Sequence, residues 1–250
     1  MKRCIWVMIA VALWGVDSNA QYTLSVSKTN GEVVDIKVDN VDEITWEKIP
    51  ESTYKCVDLG LSVKWATCNV GASKPESYGG YYAWGEVESK NYYDKANCKL
   101  FDNKKDCWIK YCHYSTYKMA QYSDDKKILD PVDDVAHVKW GGDWRMPTKE
   151  EWEELMDEKN CSWVWEERNG VFGYTVTSNK VGYTDKSIFL PAAGYRYDGF
   201  ISESHDGAYY WSSFLESNGY VWCVIVFPPS YGIVVDRERY IGMPVRPVCP

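Results

Sequence analysis

The sequence lacks a long hydrophobic run beyond its first part. The longest later run, VWCVIVF at 221–227, has the length of a β-strand, whereas a helix needs about 20 apolar residues to cross a bilayer. An earlier and shorter apolar run, at 5–16, follows two basic residues and precedes the small residues SNA. This order is typical of a secretory signal peptide. We predict that residues 1–20 are a signal cleaved after Ala20 and that the mature chain has no membrane-spanning segment.

The sequence is also poor in positive charge and in histidine. It has 28 Lys and Arg against 36 Asp and Glu, which gives a formal net charge of −8 at pH 7. Such a surface repels phosphate backbones, and no basic stripe offsets it, so we expect no nucleic-acid partner. With only 3 His, no G-x-S-x-G string and no glycine-rich phosphate loop, the chain offers no recognisable catalytic constellation. We therefore predict a protein that is not an enzyme and that carries no cofactor.

Aromatic residues, by contrast, are plentiful. The 250 residues include 13 Trp and 20 Tyr. Rings in this number supply large buried faces with polar handles, as in many β-rich binding proteins. The length fits one domain of ordinary size with an appendage.

Nine cysteines occur, and since Cys4 lies in the predicted signal, the mature chain keeps eight. An even number permits disulfides in an exported protein, but the spacing does not choose among the connectivities. A local bridge within the crowded group at 98–112 and a simple buried thiol at Cys223 both fit the pattern. The C-x4-C-H string at 107–113 lacks a second ligand pair for zinc, so we expect no metal. The eight are Cys56, Cys68, Cys98, Cys107, Cys112, Cys161, Cys223 and Cys249.

The chain divides by pattern into a small β unit and a larger domain. Residues 21–49 alternate apolar and polar positions on either side of an Asn-Gly turn signal at 30–31. Because two or three short strands are not stable alone in water, this module either packs on the main domain or binds a partner. The main domain is assigned to 54–250, and its polar segment at 88–130 is read as an irregular insertion.

One helix stands out at 148–159. Thr148 and Glu151 form a capping box, and Trp152 and Leu155 then fall on one face. After it come short strand-like segments such as CSWVW, GYTVTS, AYYWSSF and YVWCVIVF. One clear helix with many short strands predicts an α+β fold with one or two helices and short antiparallel sheets.

Several strings of the main domain resemble the bacterial major paralogous domain, also called FISUMP, which is related to C-type-lectin-like and formylglycine-generating-enzyme folds. The strings occur in family order: VDLGLSVKWATCNVGA, YYAWGE, GGDWRMPTKEEWEEL, CSWVW, NGVFGYTVTS, SIFLPAAGYR, AYYWSS and VRPV. The resemblance implies a C-type-lectin-like domain whose first and last strands pair. It also implies a secreted, periplasmic or surface location in a Gram-negative bacterium.

The same resemblance raises two activities that the residues do not support. RMPTKEEWEEL is similar to a segment of formylglycine-generating enzymes, but those enzymes bind copper through a cysteine pair near the C-terminal end. The corresponding region here, 205–240, contains only Cys223. The EPN, QPD and WND strings of calcium-dependent lectins are also absent. A lectin-like fold therefore does not by itself predict lectin activity.

The region at 194–220 is the best candidate for a binding face. Its 27 residues include five Tyr, five Ser and four Gly, a balance that resembles an antibody paratope. We predict that it contacts a protein or glycan ligand, whereas Trp211 and Trp222 belong to the core. The alternatives are a structural or adhesive envelope component that docks through 21–49 and, third, an enzyme with two converging cysteines. The candidate ligand-binding residues are Tyr195, Tyr197, Asp198, His205, Tyr209, Leu215, Asn218 and Tyr220.

Overall fold

A computed structural model describes the protein at residues 22–27, 33–38, 54–112, 124–202, 204–217, 219–228 and 232–250. The chain divides into two compact units, Met1–Pro50 and Glu51–Pro250. In the first unit, strands β1 (Tyr22–Ser27) and β2 (Val33–Val38) form an antiparallel pair. Their register places apolar positions opposite one another, for example Leu24 opposite Ile36. The predicted turn at 30–31 and the rest of the predicted module lie outside the described residues.

The described part of the second unit contains small antiparallel sheets and two short helices, so the coarse prediction of an α+β class is confirmed. The helices are α1 (Val135–Trp140) and α2 (Lys149–Met156). The strands are β3 (Cys56–Val57), β4 (Lys64–Ala66), β5 (Phe101–Asp102), β6 (Cys107–Trp108), β7 (Cys161–Arg168), β8 (Val171–Ser178), β9 (Ser187–Pro191), β10 (Tyr195–Tyr197), β11 (Phe200–Ser202), β12 (Ala208–Ser217), β13 (Tyr220–Val226), β14 (Ile233–Glu238) and β15 (Val248–Cys249).

The predicted helix is present because its first turn is capped from both sides. The Glu151 amide donates to the Thr148 hydroxyl at 3.2 Å, and the Thr148 amide donates to the Glu151 carboxylate at 2.8 Å. Trp152 and Leu155 are buried, as predicted. The helix ends at Met156, a turn earlier than predicted, because the next residue has an extended backbone.

The two ends of the second unit meet in one sheet. Its strand order is β15-β4-β3, so the last strand pairs with the second strand of this unit rather than with the first. Arg246, next to β15, is fully buried and reinforces this junction. Its guanidinium donates to Asn69 Oδ1 at 2.8 Å, to the Ala66 carbonyl at 2.9 Å and to the Phe189 carbonyl at 2.8 Å.

The sheet of β12, β13 and β14 separates two hydrophobic clusters. Tyr209 and Trp211 of β12 pack in the cluster that contains Trp84, whereas Tyr210 packs in the cluster that contains Trp152. Because β12 and β13 are buried on both faces, their sequences read as continuous apolar runs without alternation. Trp211 lies in the core as predicted, but Trp222 is only half-buried.

Candidate functional site

A tight hairpin formed by β10 and β11 projects exposed aromatic rings. Its turn residues Asp198 and Gly199 have φ values of 48° and 81°. Two positive φ values are what a two-residue type I′ hairpin turn requires, and Asp-Gly is a favoured pair for it. The register places Tyr197 directly opposite Phe200, next to the turn. These two rings therefore share one face of the hairpin tip.

Backbone hydrogen bonds hold the hairpin on two sides. Arg196 exchanges two bonds with Gly242, at 2.7 and 2.9 Å. On the other side, the Asp198 amide donates to the Tyr93 carbonyl at 3.0 Å. Tyr93 is itself fully buried, and its hydroxyl donates to the Tyr81 carbonyl at 2.5 Å. The hairpin is thus placed by fixed backbone on both sides.

These two attachments bring distant aromatic residues to the hairpin. Tyr92 precedes the anchoring Tyr93, and its ring lies against the turn, so that a Cβ added at Gly199 would be 3.3 Å from its Cδ2. Tyr240, two residues before Gly242, has its ring centroid 6.3 Å from that of Tyr197. Tyr220 lies opposite Glu238 in the pairing of β13 with β14, and Glu238 is two residues before Tyr240. We call the resulting surface the aromatic face. Its members are Tyr92, Tyr197, Asp198, Phe200, Tyr220 and Tyr240.

The rings of the aromatic face are open to solvent. Phe200 is 73% exposed, Tyr92 and Tyr197 are each 46% exposed, and Tyr220 is 43% exposed. Tyr240 is half-buried. Large apolar groups that remain exposed next to one another, rather than singly, mark interaction surfaces.

The electrostatic surroundings of the face are acidic. The Tyr92 hydroxyl donates to the Asp198 carboxylate, and this bond raises the pKa of Tyr92 above its usual value. Burial raises the pKa of Tyr240 to about 12, and the nearby Glu238 carboxylate adds to the effect. Both phenols therefore remain protonated at neutral pH, and the single O–H of Tyr92 is already donated to Asp198.

Three of the eight predicted binding residues lie on this face: Tyr197, Asp198 and Tyr220. Two others are placed differently by the fold. Tyr209 is 4% exposed and Leu215 is 0% exposed, because β12 is buried between the two hydrophobic clusters. In this structure neither side chain is available to a ligand, so we remove both from the proposed face.

The remaining three predicted residues do not join the aromatic face. Tyr195 is half-buried at the base of the hairpin, where its ring packs at 4.9 Å from that of Tyr209. His205 is exposed, and its Nδ1 lies 3.2 Å from the hydroxyl of Tyr78. Asn218 lies outside the described residues.

The sequence interpretation missed Tyr92, Phe200 and Tyr240. Phe200 could have been found, because the Asp-Gly pair at 198–199 between aromatic residues is a strong hairpin signal. Tyr92 and Tyr240 carry no local signal, since only long-range backbone pairing brings them to the hairpin.

Apart from the aromatic face, a cleft of about 420 Å³ lies between the starts of α1 and α2. Its main polar groups already have partners within the protein. The Asp134 carboxylate accepts three backbone amides at 2.8 to 3.2 Å, and the Arg145 guanidinium binds Glu151 at 2.8 Å. Burial raises the pKa of Asp134 although the amides favour its charged form. These groups serve to hold the fold together.

The cysteines show no arrangement for metal or nucleophilic chemistry in the described part of the second unit. No group of three His, Cys, Asp or Glu there could hold a metal ion, and no disulfide is formed there. Cys223 is fully buried, as predicted, and burial raises the pKa of its thiol. The thiol of Cys249 contacts that of Cys56 across β4, and burial followed by this contact raises the pKa of Cys249 to about 11. The Cys223 and Cys249 thiols are therefore protonated at neutral pH and are poor nucleophiles.

None of the helices among the described residues is long and apolar enough to cross a membrane. No protein-family model, curated protein or solved structure matches the chain.

Proposed function

We propose that this protein is an exported recognition module, with a C-type-lectin-like second unit that binds a protein or glycan ligand through the aromatic face. The observation that carries the proposal is the convergence of five aromatic side chains from separate chain segments at one exposed surface. Tyrosine offers large, rigid and amphipathic contact area at a low cost in conformational entropy, which is why binding loops favour it.

The backbone anchoring of the hairpin under the aromatic face favours binding as well. The hairpin is tied to Gly242 and Tyr93 by main-chain hydrogen bonds, so little ordering is needed when a ligand arrives. A pre-ordered surface loses less conformational entropy on binding than a loose loop does. The C-type-lectin-like part of the proposal is supported by the sequence resemblance and by the position of β15 and β3 in one sheet, although both pair with β4 rather than with each other.

A binding screen on glycan arrays and bacterial or host cell surfaces tests this proposal. The test variant is Tyr197→Ser/Phe200→Ser/Tyr220→Ser, which removes three exposed rings. The matched control, Val164→Ser/Phe172→Ser/Val181→Ser, removes three apolar side chains that are also exposed but lie outside the face. We expect the wild type and the control to bind the same ligand and the test variant to lose it while it keeps a native near-UV circular dichroism spectrum. Equal binding by all three proteins would contradict the proposal.

An adaptor role for the first unit is a second candidate. Its observation is the separate compact unit with paired strands β1 and β2, each of which pairs on one side only within the described residues. Strand edges of this kind accept a further strand from a partner. A chain that keeps residues 1–20 for export and lacks residues 21–50 tests it: loss of cell-surface retention with ligand binding intact supports the adaptor role, and unchanged retention contradicts it.

A further inference from the structure

The aromatic face is bordered by carboxylates that have no cationic partner. Asp198 is exposed at the hairpin turn, and Asp94 and Glu238 are half-buried beside Tyr92 and Tyr240. Among the residues that the structure describes, none of these three forms an ion pair. Carboxylates beside unfilled ring faces leave a negative potential at the surface that the protein itself does not neutralise.

Two basic residues of the neighbouring segments contact other groups. The Lys95 ammonium lies 3.2 Å from the Asp106 carboxylate. The Arg196 guanidinium lies 5.1 Å from the ring centroid of Tyr81, which is buried. The charged residues with the largest influence on the hydroxyls of Tyr92 and Tyr240 are Asp94, Asp198 and Glu238.

Aromatic rings and carboxylates together match one kind of ligand. A ring face attracts a cation through its quadrupole, and a nearby carboxylate attracts it by charge. Four exposed rings on the face are open to such contacts. An anionic ligand would meet repulsion at the same surface, and a neutral ligand would bring no counter-charge to the three carboxylates.

From this complementarity we infer that the aromatic face binds a basic segment of a partner protein, one rich in lysine or arginine. The inference rests on the proposed function and specifies its ligand. Lysine and arginine side chains of the partner would lie over the rings of Tyr92, Tyr197 and Phe200, with their charged ends toward the carboxylates of Asp94, Asp198 and Glu238.

Fluorescence anisotropy with labelled oligolysine, oligoarginine and oligoglutamate peptides tests the inference on the full chain. A strongly acidic protein attracts any polycation, so the design compares two variants of equal charge. Asp94→Asn/Asp198→Asn/Glu238→Gln neutralises the face. Asp143→Asn/Glu150→Gln/Glu167→Gln removes the same charge from exposed positions elsewhere.

We expect the wild type to bind both basic peptides and not the acidic one, with an affinity that falls as salt is added. Neutralising the face should weaken binding by about fivefold or more, whereas the control triple should change it by less than about twofold. Equal weakening by both triples would show that bulk charge alone attracts the peptide, and would overturn the inference.

The same proteins separate the inference from the proposed function. If no basic peptide binds but the ring-deleted variant still loses a glycan or cell-surface ligand, the inference is wrong and the recognition role stands. If no basic peptide binds and the ring-deleted variant also behaves as wild type in the screen, both are wrong.

Discussion

Arg246 offers the sharpest test of how the second unit is held together. Its buried guanidinium donates to a side chain next to β4, to the β4 backbone and to the β9 backbone, all within 2.8 to 2.9 Å. We choose Arg246→Lys, which keeps the positive charge. A lysine ammonium is a compact donor that cannot reach three acceptors arranged around a planar fork.

The structure sets the expected size of the effect. The substitution leaves one or two of the three buried acceptors without a hydrogen bond, and each costs about 1–3 kcal/mol. The buried lysine ammonium also makes fewer hydrogen bonds than the guanidinium does. Breaking a buried charged network costs about 3–5 kcal/mol, so we expect a loss of that order in the free energy of unfolding. For a unit of this size the melting temperature should fall by roughly 6–20 °C.

Thermal and urea unfolding, followed by tryptophan fluorescence, measure this loss. The matched control is Arg237→Lys, since the one hydrogen bond of the Arg237 guanidinium within the described residues goes to the exposed Asp236 carbonyl at 3.2 Å. The control should stay within about 0.5 kcal/mol of the wild type. If Arg246→Lys also stays within about 1 kcal/mol of the wild type, the junction does not depend on the guanidinium and our reasoning is wrong.

Three further predictions concern other buried or paired groups. Asp134→Asn replaces an accepting oxygen with a donor and leaves the Met146 backbone amide without an acceptor. Urea unfolding should therefore show a free energy of unfolding lower by about 1–3 kcal/mol, and an unchanged urea midpoint would refute this prediction. Iodoacetamide should label exposed Cys56 first and Cys223 last, because Cys223 is fully buried and burial raises its pKa; peptide mass spectrometry that finds the reverse order would contradict this placement. Lys126 and Lys110 hold the pKa of Asp130 below its usual value. The Asp130 carboxylate therefore stabilises the fold above about pH 4, and this stabilisation is lost as the pH falls through the lowered pKa of the folded state. The unfolding free energies of the wild type and Asp130→Asn should therefore converge at low pH, and a constant gap would refute the assignment.

Local signals in the sequence predict part of this structure well. The start of α2 depends on hydrogen bonds between Thr148 and Glu151, which are only three residues apart. The local sequence is therefore enough to predict where this helix begins. The Asp-Gly pair at 198–199 likewise encodes the hairpin turn. Interactions over a few residues are the ones that a sequence pattern can carry.

The aromatic face depends on contacts that no local pattern carries. Tyr209 and Leu215 lie in a Tyr- and Ser-rich stretch that resembles a paratope, yet the sheet buries them because hydrophobic clusters cover β12 on both sides. Tyr92 and Tyr240 reach the hairpin only through main-chain pairing between segments that are far apart in sequence. The composition of 194–220 therefore indicated the region of the aromatic face. Long-range backbone pairing determines which residues belong to it.

The most direct test of the recognition face compares a residue found only in the structure with one suggested only by composition. The measurement is the dissociation constant of Phe200→Ala and of His205→Ala for the ligand identified in the binding screen. Both side chains are exposed, and neither lies in the core. The account predicts that Phe200→Ala weakens binding by about tenfold or more, as loss of a central aromatic contact does, and that His205→Ala stays within about twofold of the wild type. A strong loss with His205→Ala and none with Phe200→Ala would contradict the aromatic face as the binding site.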